Sequence, residues 1–552
     1  MRQLKKLTNV LTDKLINKKM KRILALSAAA FLALTSYAQD TYLNQHLTST
    51  NDVIGTARYV GMGGAMGALG ADLSSITFNP AGMGLYRKND ISLTFGGQWN
   101  KERIDEVNRG KGTFDQMGFV YSISTDNDVC RFFNLSFNYQ KKANFNYNFY
   151  APITNMNGLS QMDVVSELVS DGYDTDMNLA GKAVDNGYLT AALVNPADPN
   201  SEVQYYYNQF GGDFSNYTHH SHGSLQGFDL NFSTNLMDRA FLGLGLGTEN
   251  MAYRSWTNYY EENSYLNDRG ENVLGDYSLY NDYHINGYGI NVKLGGIVRP
   301  IEESSFRIGF AVETPTWYRF KSSTYFDLKD EVTGDVTNTT ESYLEYTYHN
   351  PWKVRASFGS TIGRSFAWDV DYEFANMGGS RMGYPDYDDW NYGGYSTFQG
   401  TKDKAMNELT KNTLKSQHTI KAGMEFRPVS AFAIRVGYNY ISSPFKKNPG
   451  FDQYSLDSRA MDFSTSTCYM TTGATNIVTF GLGYAYKHFY ADLSYKVRNL
   501  KANFYPFDCT YAQASSNSQF VIDNPQLVGH SVASKEVDLT RQAITCTLGF
   551  KF

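Results

Sequence analysis

Large apolar residues alternate with small or polar ones through the last sixteen residues, Val537 to Phe552 (VDLTRQAITCTLGFKF). Ile544, Cys546, Leu548, Phe550 and Phe552 share one face, and Ala543, Thr545, Thr547, Gly549 and Lys551 share the other. Period-two alternation of this kind is a strand whose faces meet different solvents. One such strand also suits a soluble sandwich, but the pattern recurs along most of the chain. It predicts about fourteen strands, near 90–100, 113–124, 130–149, 224–236, 239–256, 285–299, 304–327, 341–362, 364–377, 413–429, 431–445, 472–487, 488–505 and 534–552.

The connections alternate in length. Short turns fall at Ser124–Val129, Met237–Ala240, Arg299–Ser304, Gly363–Arg364, Arg427–Ala431 and Lys487–His488. Long polar loops occupy the alternate places, near 101–112, 150–223, 257–284, 328–340, 378–412, 446–471 and 506–533. Short turns at one end and long loops at the other are the pattern of an outer-membrane barrel, with the even strand count returning the C-terminus to the periplasmic side. The expected fold class is therefore all-β: a transmembrane antiparallel barrel.

The alternation also divides the charges. Phe366, Trp368, Val370 and Tyr372 oppose Asp369, Asp371 and Glu373, while Trp352, Val354 and Phe358 oppose Lys353, Arg355 and Ser357. Lys293, Arg307, Glu313, Arg435, Asp492, Lys496 and Arg541 join the polar set. A Lys or Arg on the lipid face costs roughly 2 to 4 kcal/mol near the midplane, so these side chains are assigned to the lumen. Both signs are present, which predicts salt bridges filling a plugged interior.

Residues 1–38 read as a secretory leader. Lys18, Lys19, Lys21 and Arg22 precede an apolar run from Ile23 to Leu34, and Ser36-Tyr37-Ala38 carries small residues at the positions a signal peptidase inspects. Met20 is a second candidate start. Removing the leader takes the formal balance from 49 basic against 55 acidic residues to 41 against 54, which makes nucleic acid a poor partner. With 42 Tyr and 35 Phe, the aromatic content suits interfacial girdles, although composition alone also fits a secreted soluble β protein. In an oxidising compartment Cys468 and Cys509, in consecutive long loops, are a candidate bridge; no cysteine pair has metal-ligand spacing.

Residues 39–88 precede the first strand and form a candidate hatch, leaving 89–552 as the barrel. Val60 to Tyr86 reads VGMGGAMGALGADLSSITFNPAGMGLY. Met62, Met66, Leu69, Leu73 and Ile76 recur at helical spacing, interrupted by Gly61, Gly63, Gly64, Gly67 and Gly70. Asn79-Pro80 forces a turn, and Ala81-Gly82 lets the backbone pass close to a wall. The expected product is a compact plug of short helices and tight turns.

The Met62-Gly63-Gly64-Ala65 stretch, the Asp72 that follows, and Phe78-Asn79-Pro80-Ala81-Gly82 before the first strand of a signal-bearing barrel resemble the FadL/TodX (OMPP1) family of outer-membrane transport proteins, and its Bacteroidetes-type members. The match is detailed over Gly61 to Gly82 and architectural elsewhere. The resemblance implies a fourteen-stranded barrel, plugged by an N-terminal hatch. It implies passive uptake of hydrophobic small molecules such as long-chain fatty acids, no enzyme activity, no cofactor, and a monomer among outer-membrane lipid and lipopolysaccharide. It makes Gly61, Met62, Gly63, Gly64, Met66, Phe78, Asn79, Pro80, Ala81 and Gly82 the ligand-gating segment. In relatives the ligand leaves sideways beside a kinked third strand; Asn144, Phe145 and Asn146 are the candidate lateral opening here, an ordinary strand extension being the other reading.

Other candidates sit in the loops. Met162, Val164, Val165, Leu168 and Val169 give one amphipathic helical stretch, Tyr188 to Val194 a second, and together they are expected to frame a capture groove. The tract Tyr384 to Phe398 (YPDYDDWNYGGYSTF) could stack a flat ligand or a sugar coat. His219, His220 and His222 are a candidate loop cluster for metal or haem. Haem capture and a shuttle role in protein secretion are the alternative functions.

Overall fold

A computed structural model describes residues 39–49, 52–101, 111–170, 172, 178–193, 197–201, 203–207, 210–266, 272–338, 341–385, 400–447, 458, 463–507 and 532–552. The leader therefore lies outside the described residues. Fourteen spans build the wall: β1 (Asp90–Asn100), β2 (Lys111–Ser124), β3 (Cys130–Asn144, resuming as Tyr147–Ile153), β4 (Phe210–Leu236), β5 (Ala240–Leu266), β6 (Tyr277–Val298), β7 (Arg307–Glu313 and Trp317–Asp330), β8 (Ser342–His349 and Lys353–Ile362), β9 (Phe366–Asn376 and Arg381–Pro385), β10 (Ser416–Val429), β11 (Phe432–Ile441), β12 (Tyr469–Tyr486), β13 (Phe489–Tyr505) and β14 (Lys535–Asp538 and Arg541–Lys551). Each pairs antiparallel with its sequence neighbours. β14 closes the ring on β1, from Asn100↔Arg541 to Asp90↔Lys551. Closure leaves no sheet edge facing hydrocarbon, the condition for a sheet to cross a bilayer.

The two faces are chemically distinct. Outward residues of β12 and β14 include Phe480, Leu482, Leu548 and Cys546, all exposed. Lys293, Glu313, Lys353, Arg355, Asp369, Asp371, Arg435, Asp492, Lys496 and Arg541 face inward and are buried, as the alternation predicts. Ion pairs link inward charges of nearby strands along the wall: Arg435 with Glu425 and Asp492, each at 2.6 Å; Arg355 with Glu373 at 2.5 Å and Glu313 at 2.8 Å; and Lys142 with Glu249 at 2.7 Å.

The strands run further than their apolar alternation. β4 begins at Phe210 rather than near 224, β5 reaches Leu266 and β6 begins at Tyr277. The extensions are rich in Tyr, Asn, Ser and His. There the ladder continues above the hydrocarbon, where the outer face needs no apolar residues, so the period-two signal fades while the backbone pairing does not. β7 and β8 are each interrupted, at Pro315 and Pro351, because proline cannot donate to the ladder.

The lumen is layered. Reading β7 from its start, Gly309 lies against the hatch, Glu313 belongs to the ion-pair layer, and Tyr318 and Phe320 join an apolar layer. Phe326 and Leu328 then join a second apolar cluster at the mouth. The helix Gln39–Thr48 stands in the first apolar layer through buried Leu47, with Asn44 accepting from Tyr346 Oη at 2.8 Å.

Replacing outward Phe480, mid-way along β12, with Arg should destabilise the barrel by about 2 to 4 kcal/mol in urea titrations from lipid vesicles. The inward neighbour Thr479 changed to Ser should have far less effect.

Candidate functional site

Residues 52–86 fill the barrel as short pieces rather than one helix. The helix Ala57–Gly61 ends within five residues, and two 3-10 turns follow, Leu73–Thr77 and Pro80–Leu85. The apolar spacing of Met62, Met66, Leu69, Leu73 and Ile76 does not become a continuous helix, because Gly63, Gly64 and Gly70 adopt φ of +66°, +77° and +54°. The five apolar side chains are buried in two small clusters with Val53, Tyr59, Val60 and Met83, Tyr86.

What holds this segment to the wall is a pair of carboxylates on β9. Asp371 accepts from the amides of Met66 and Gly67 at 3.1–3.2 Å, and Asp369 from Ala68 at 3.1 Å and Leu69 at 2.7 Å. Arg355 donates to Phe78 O at 3.1 Å and Arg307 to Leu69 O at 2.9 Å. Asn79 ties the hatch to itself: Nδ2 donates to Gly67 O at 2.9 Å, and Oδ1 accepts from the Ala81 amide at 3.1 Å. Pro80 O accepts from Asn231 at 3.2 Å. The Phe78 ring lies under Lys421 Nζ at 4.2 Å and Arg355 Cζ at 5.0 Å.

Glycine meets glycine where hatch touches wall. A Cβ on Gly437 would stand 2.1 Å from Gly63 N, one on Gly423 would stand 2.3 Å from Met62 O, and one on Gly481 would stand 3.1 Å from Gly61 Cα. Opposite, Gly243 and Gly295 receive Pro80 and Asn79, while Gly82 packs on Gly70. The structure thus brings Gly61, Met62, Gly63, Gly64, Met66, Phe78, Asn79, Pro80, Ala81 and Gly82 into one seat. Alternation marks Asp369 and Asp371 as lumen charges and says nothing of the amides they hold. The seat itself has a sequence signal: a mid-strand glycine marks close backbone approach, and β6, β10, β11 and β12 all carry one on the inward face.

Charge also fixes the start of the hatch. Lys496 Nζ contacts Asp52 at 2.5 Å and Val53 O at 2.8 Å. Burial alone would raise the Asp52 carboxyl, but Lys496 and Arg498 outweigh it and hold the group down at about 2. Asp72 goes the other way: burial keeps it above the ordinary carboxylate value despite Arg58, Thr56 and the Ser74 amide.

A second feature lies higher in the wall. β3 stops at Asn144 and resumes at Tyr147, so Phe145 and Asn146 interrupt it. The β2–β3 ladder ends lower still, at Gln116↔Gln140, while β2 continues against β1 to Lys111. Lys111 to Asp115 therefore have no β3 partner, and the strand pair parts. Small polar links cross the gap: Lys141 to Asp115 at 3.6 Å, Lys111 to Asn146 at 3.4 Å and Asn100 to Asn146 O at 3.4 Å. A cavity of about 310 Å³ opens there, lined by Trp99, Asn100, Lys111, Asn146, Asn148, His222 and Trp256, among others. Phe145 turns inward, 1% exposed, edge-on to Tyr253 at 5.7 Å.

The loop candidates fare differently. His219, His220 and His222 are not in a loop but on β4, so alternation sends His219 inward, stacked on Phe149 at 4.8 Å, and the other two outward, His222 on Trp256 at 4.9 Å. They cannot converge on one ion, and among the described residues no group of three His, Cys, Asp or Glu is disposed to hold a metal. The helix Gln161–Ser170 forms, but Leu189–Leu193 of the second stretch is a strand paired with Val203–Tyr207. Met162, Val164, Val165 and Leu168 are fully buried in the mouth cluster, a packed cap rather than an open groove. Beyond Pro385, the tract to Phe398 lies outside the described residues, as does Cys509; Cys468 is buried in the mouth cluster.

A closed fourteen-stranded antiparallel barrel with an internal hatch and a parted strand pair in its wall defines a plugged membrane barrel. No family profile and no curated protein matches the chain. Among solved structures, a Pseudomonas aeruginosa FadL homologue is similar at 11% identity, over 90% of this chain and 98% of that one, with a TM-score of 0.46. The Ralstonia pickettii toluene transporter TbuX is similar at 13% identity, over 91% and 99%, with a TM-score of 0.42. The monoaromatic hydrocarbon channel CymD is similar at 10% identity, over 91% and 98%, with a TM-score of 0.45.

Two outcomes are expected of the hatch. Asp369→Ala with Asp371→Ala leaves four buried amides unpaired, at about 1 to 3 kcal/mol each, so planar-bilayer conductance and hydrogen exchange over 57–86 should both rise. The Asp52 carboxyl is depressed, so its contribution is fully present above 3.8 and is lost as pH falls from 3.8 toward about 2. Exchange protection at Val53 should decline across that window, and Asp52→Asn should abolish the pH dependence.

Proposed function

We propose that this chain is a FadL/TodX-type channel of a Gram-negative outer membrane, admitting hydrophobic small molecules, long-chain fatty acids among them, by passive diffusion and releasing them sideways into the bilayer. The observation that carries the reading is the parted β2–β3 pair beside Phe145 and Asn146. An apolar molecule gains about 25 cal/mol per Å² on leaving water, and the mouth and upper lumen are lined by two apolar clusters. Below them stand Lys142, Glu249, Glu313, Lys353, Arg355 and Glu373 around a cavity of only about 60 Å³. A hydrophobic body forced through that layer would desolvate ion pairs and then meet the hatch. The gap opens above the charges, at the level of the first apolar layer, and offers a way out that avoids both.

Asn79 and the glycine-rich seat then serve to keep the lumen shut to water and ions while the cargo leaves through the wall. The neighbours above, a FadL homologue, a toluene transporter and a monoaromatic hydrocarbon channel, accord with hydrophobic cargo.

Stapling the gap tests the route. Cys introduced for Lys111 and Asn146 and joined by a short bis-maleimide should reduce uptake of a hydrophobic fluorescent probe to the level of cells lacking the protein. Uptake that survives a completed cross-link would rule out lateral release at this site.

A further inference from the structure

Where β12 turns into β13, the outer face of the barrel is notched. Ala491 of β13 is exposed there, and its single methyl group lies in register between Tyr484 of β12 and Leu548 of β14. The next outward row toward the turn is aromatic: Tyr486 pairs with Phe489, whose ring lies 4.8 Å from Phe550, and Phe550 stacks on Phe552 at 5.6 Å. One small residue among large ones leaves a groove of about 420 Å³ on the outside of the wall, closed on the far side by Ile91 and Leu93 of β1.

The position of the groove decides what fills it. Ala491 stands two residues past Phe489, about 7 Å along the strand from the end of the turn, on the face that the closed ring turns toward hydrocarbon. An acyl chain is the apolar body available at that depth. Tyrosines belong at the level of the head groups, because the ring is apolar and the hydroxyl is wet, and Tyr484 and Tyr486 are both exposed here.

Charge at the lip selects the head group. Lys487 is exposed in the turn, in a left-handed conformation with φ of +55°, and its Nζ lies 5.3 Å from the centre of the Tyr486 ring. The ion pairs of this rim are Arg427 with Glu425 at 2.8 Å and Lys551 with Asp90 at 3.7 Å, and neither engages Lys487. The same arc of short turns is basic throughout: Gly363–Arg364, Arg427–Ala431 and Lys487–His488 contain no acid, whereas Ser124–Val129 and Arg299–Ser304 carry Asp126, Asp128, Glu302 and Glu303. An anionic head group is therefore favoured on this side of the rim and repelled on the other.

From these features we infer a phospholipid site on the periplasmic half of the wall: one acyl chain lies in the groove over Ala491, and the phosphate of an anionic lipid meets Lys487. The inference rests on the membrane placement proposed above but not on the lateral route, since groove and gap are separate features of the wall.

Native mass spectrometry of the full-length mature protein, delipidated in mild detergent and titrated with dioleoyl phosphatidylglycerol or dioleoyl phosphatidylcholine, tests it. Wild type should retain one phosphatidylglycerol about fivefold more tightly than phosphatidylcholine, the contribution of one lysine at a membrane surface. Lys487→Gln should make the two lipids equal, and Lys487→Arg should keep the preference. Ala491→Phe, which fills the notch, should remove the tight site for both; Ala491→Leu serves if heat-shifted gel mobility shows the Phe variant unfolded. Equal binding of the two lipids by wild type, a preference that survives Lys487→Gln, or a tight site that survives filling of the notch each overturns the assignment. A protein that fails to enter lipid vesicles at all sinks the membrane placement instead, a result separate from loss of the site.

Discussion

Backbone satisfaction in hydrocarbon is the constraint from which the rest follows. A strand crossing lipid has no water to receive its amides, so β14 must return to β1, and it does so over the full length of both. Once the ring is closed, period-two geometry sends every second residue into the lumen. Charges that lipid would exclude gather there, and ion pairing stabilises them. The hatch uses the same arrangement. Two of those inward carboxylates, Asp369 and Asp371, accept hydrogen bonds from four successive amides of a segment with too little regular structure to satisfy them itself.

The wall is deliberately imperfect in one place. Between β2 and β3 the ladder stops at Gln116↔Gln140, and the strand segment above it is replaced by long polar links through Asn146, Lys111 and Asp115. The breach coincides with the change from the charged layer to the apolar one. Gap and apolar lining meet within a few residues of Tyr147.

Much of this is legible in the sequence. The alternation in β9 and β14 assigned lumen and lipid faces correctly residue by residue, because a membrane barrel admits no mixture of the two. The hatch residues around Gly63 and Asn79-Pro80 were legible from glycine and proline chemistry. The histidines misled because polar strand extensions above the membrane look like loop: once β4 starts at Phe210, His219 must face away from His220 and His222. The mouth helices misled in the other direction. Amphipathicity predicted an apolar face but not its partner, and the face turned out to be covered by β-strand residues such as Phe504 and Tyr277.

What the sequence by itself determined is the period: which residues alternate, where proline and glycine interrupt, and hence the barrel, its two faces and a plug ahead of it. These depend on neighbours one or two positions apart. What only the tertiary structure decided is coincidence between distant positions. Asp369 meets Leu69, Gly437 meets Gly63, and Arg498 stands against Arg541. Such pairs are fixed by strand register around a closed ring, a long-range quantity that a local pattern constrains in parity but not in position.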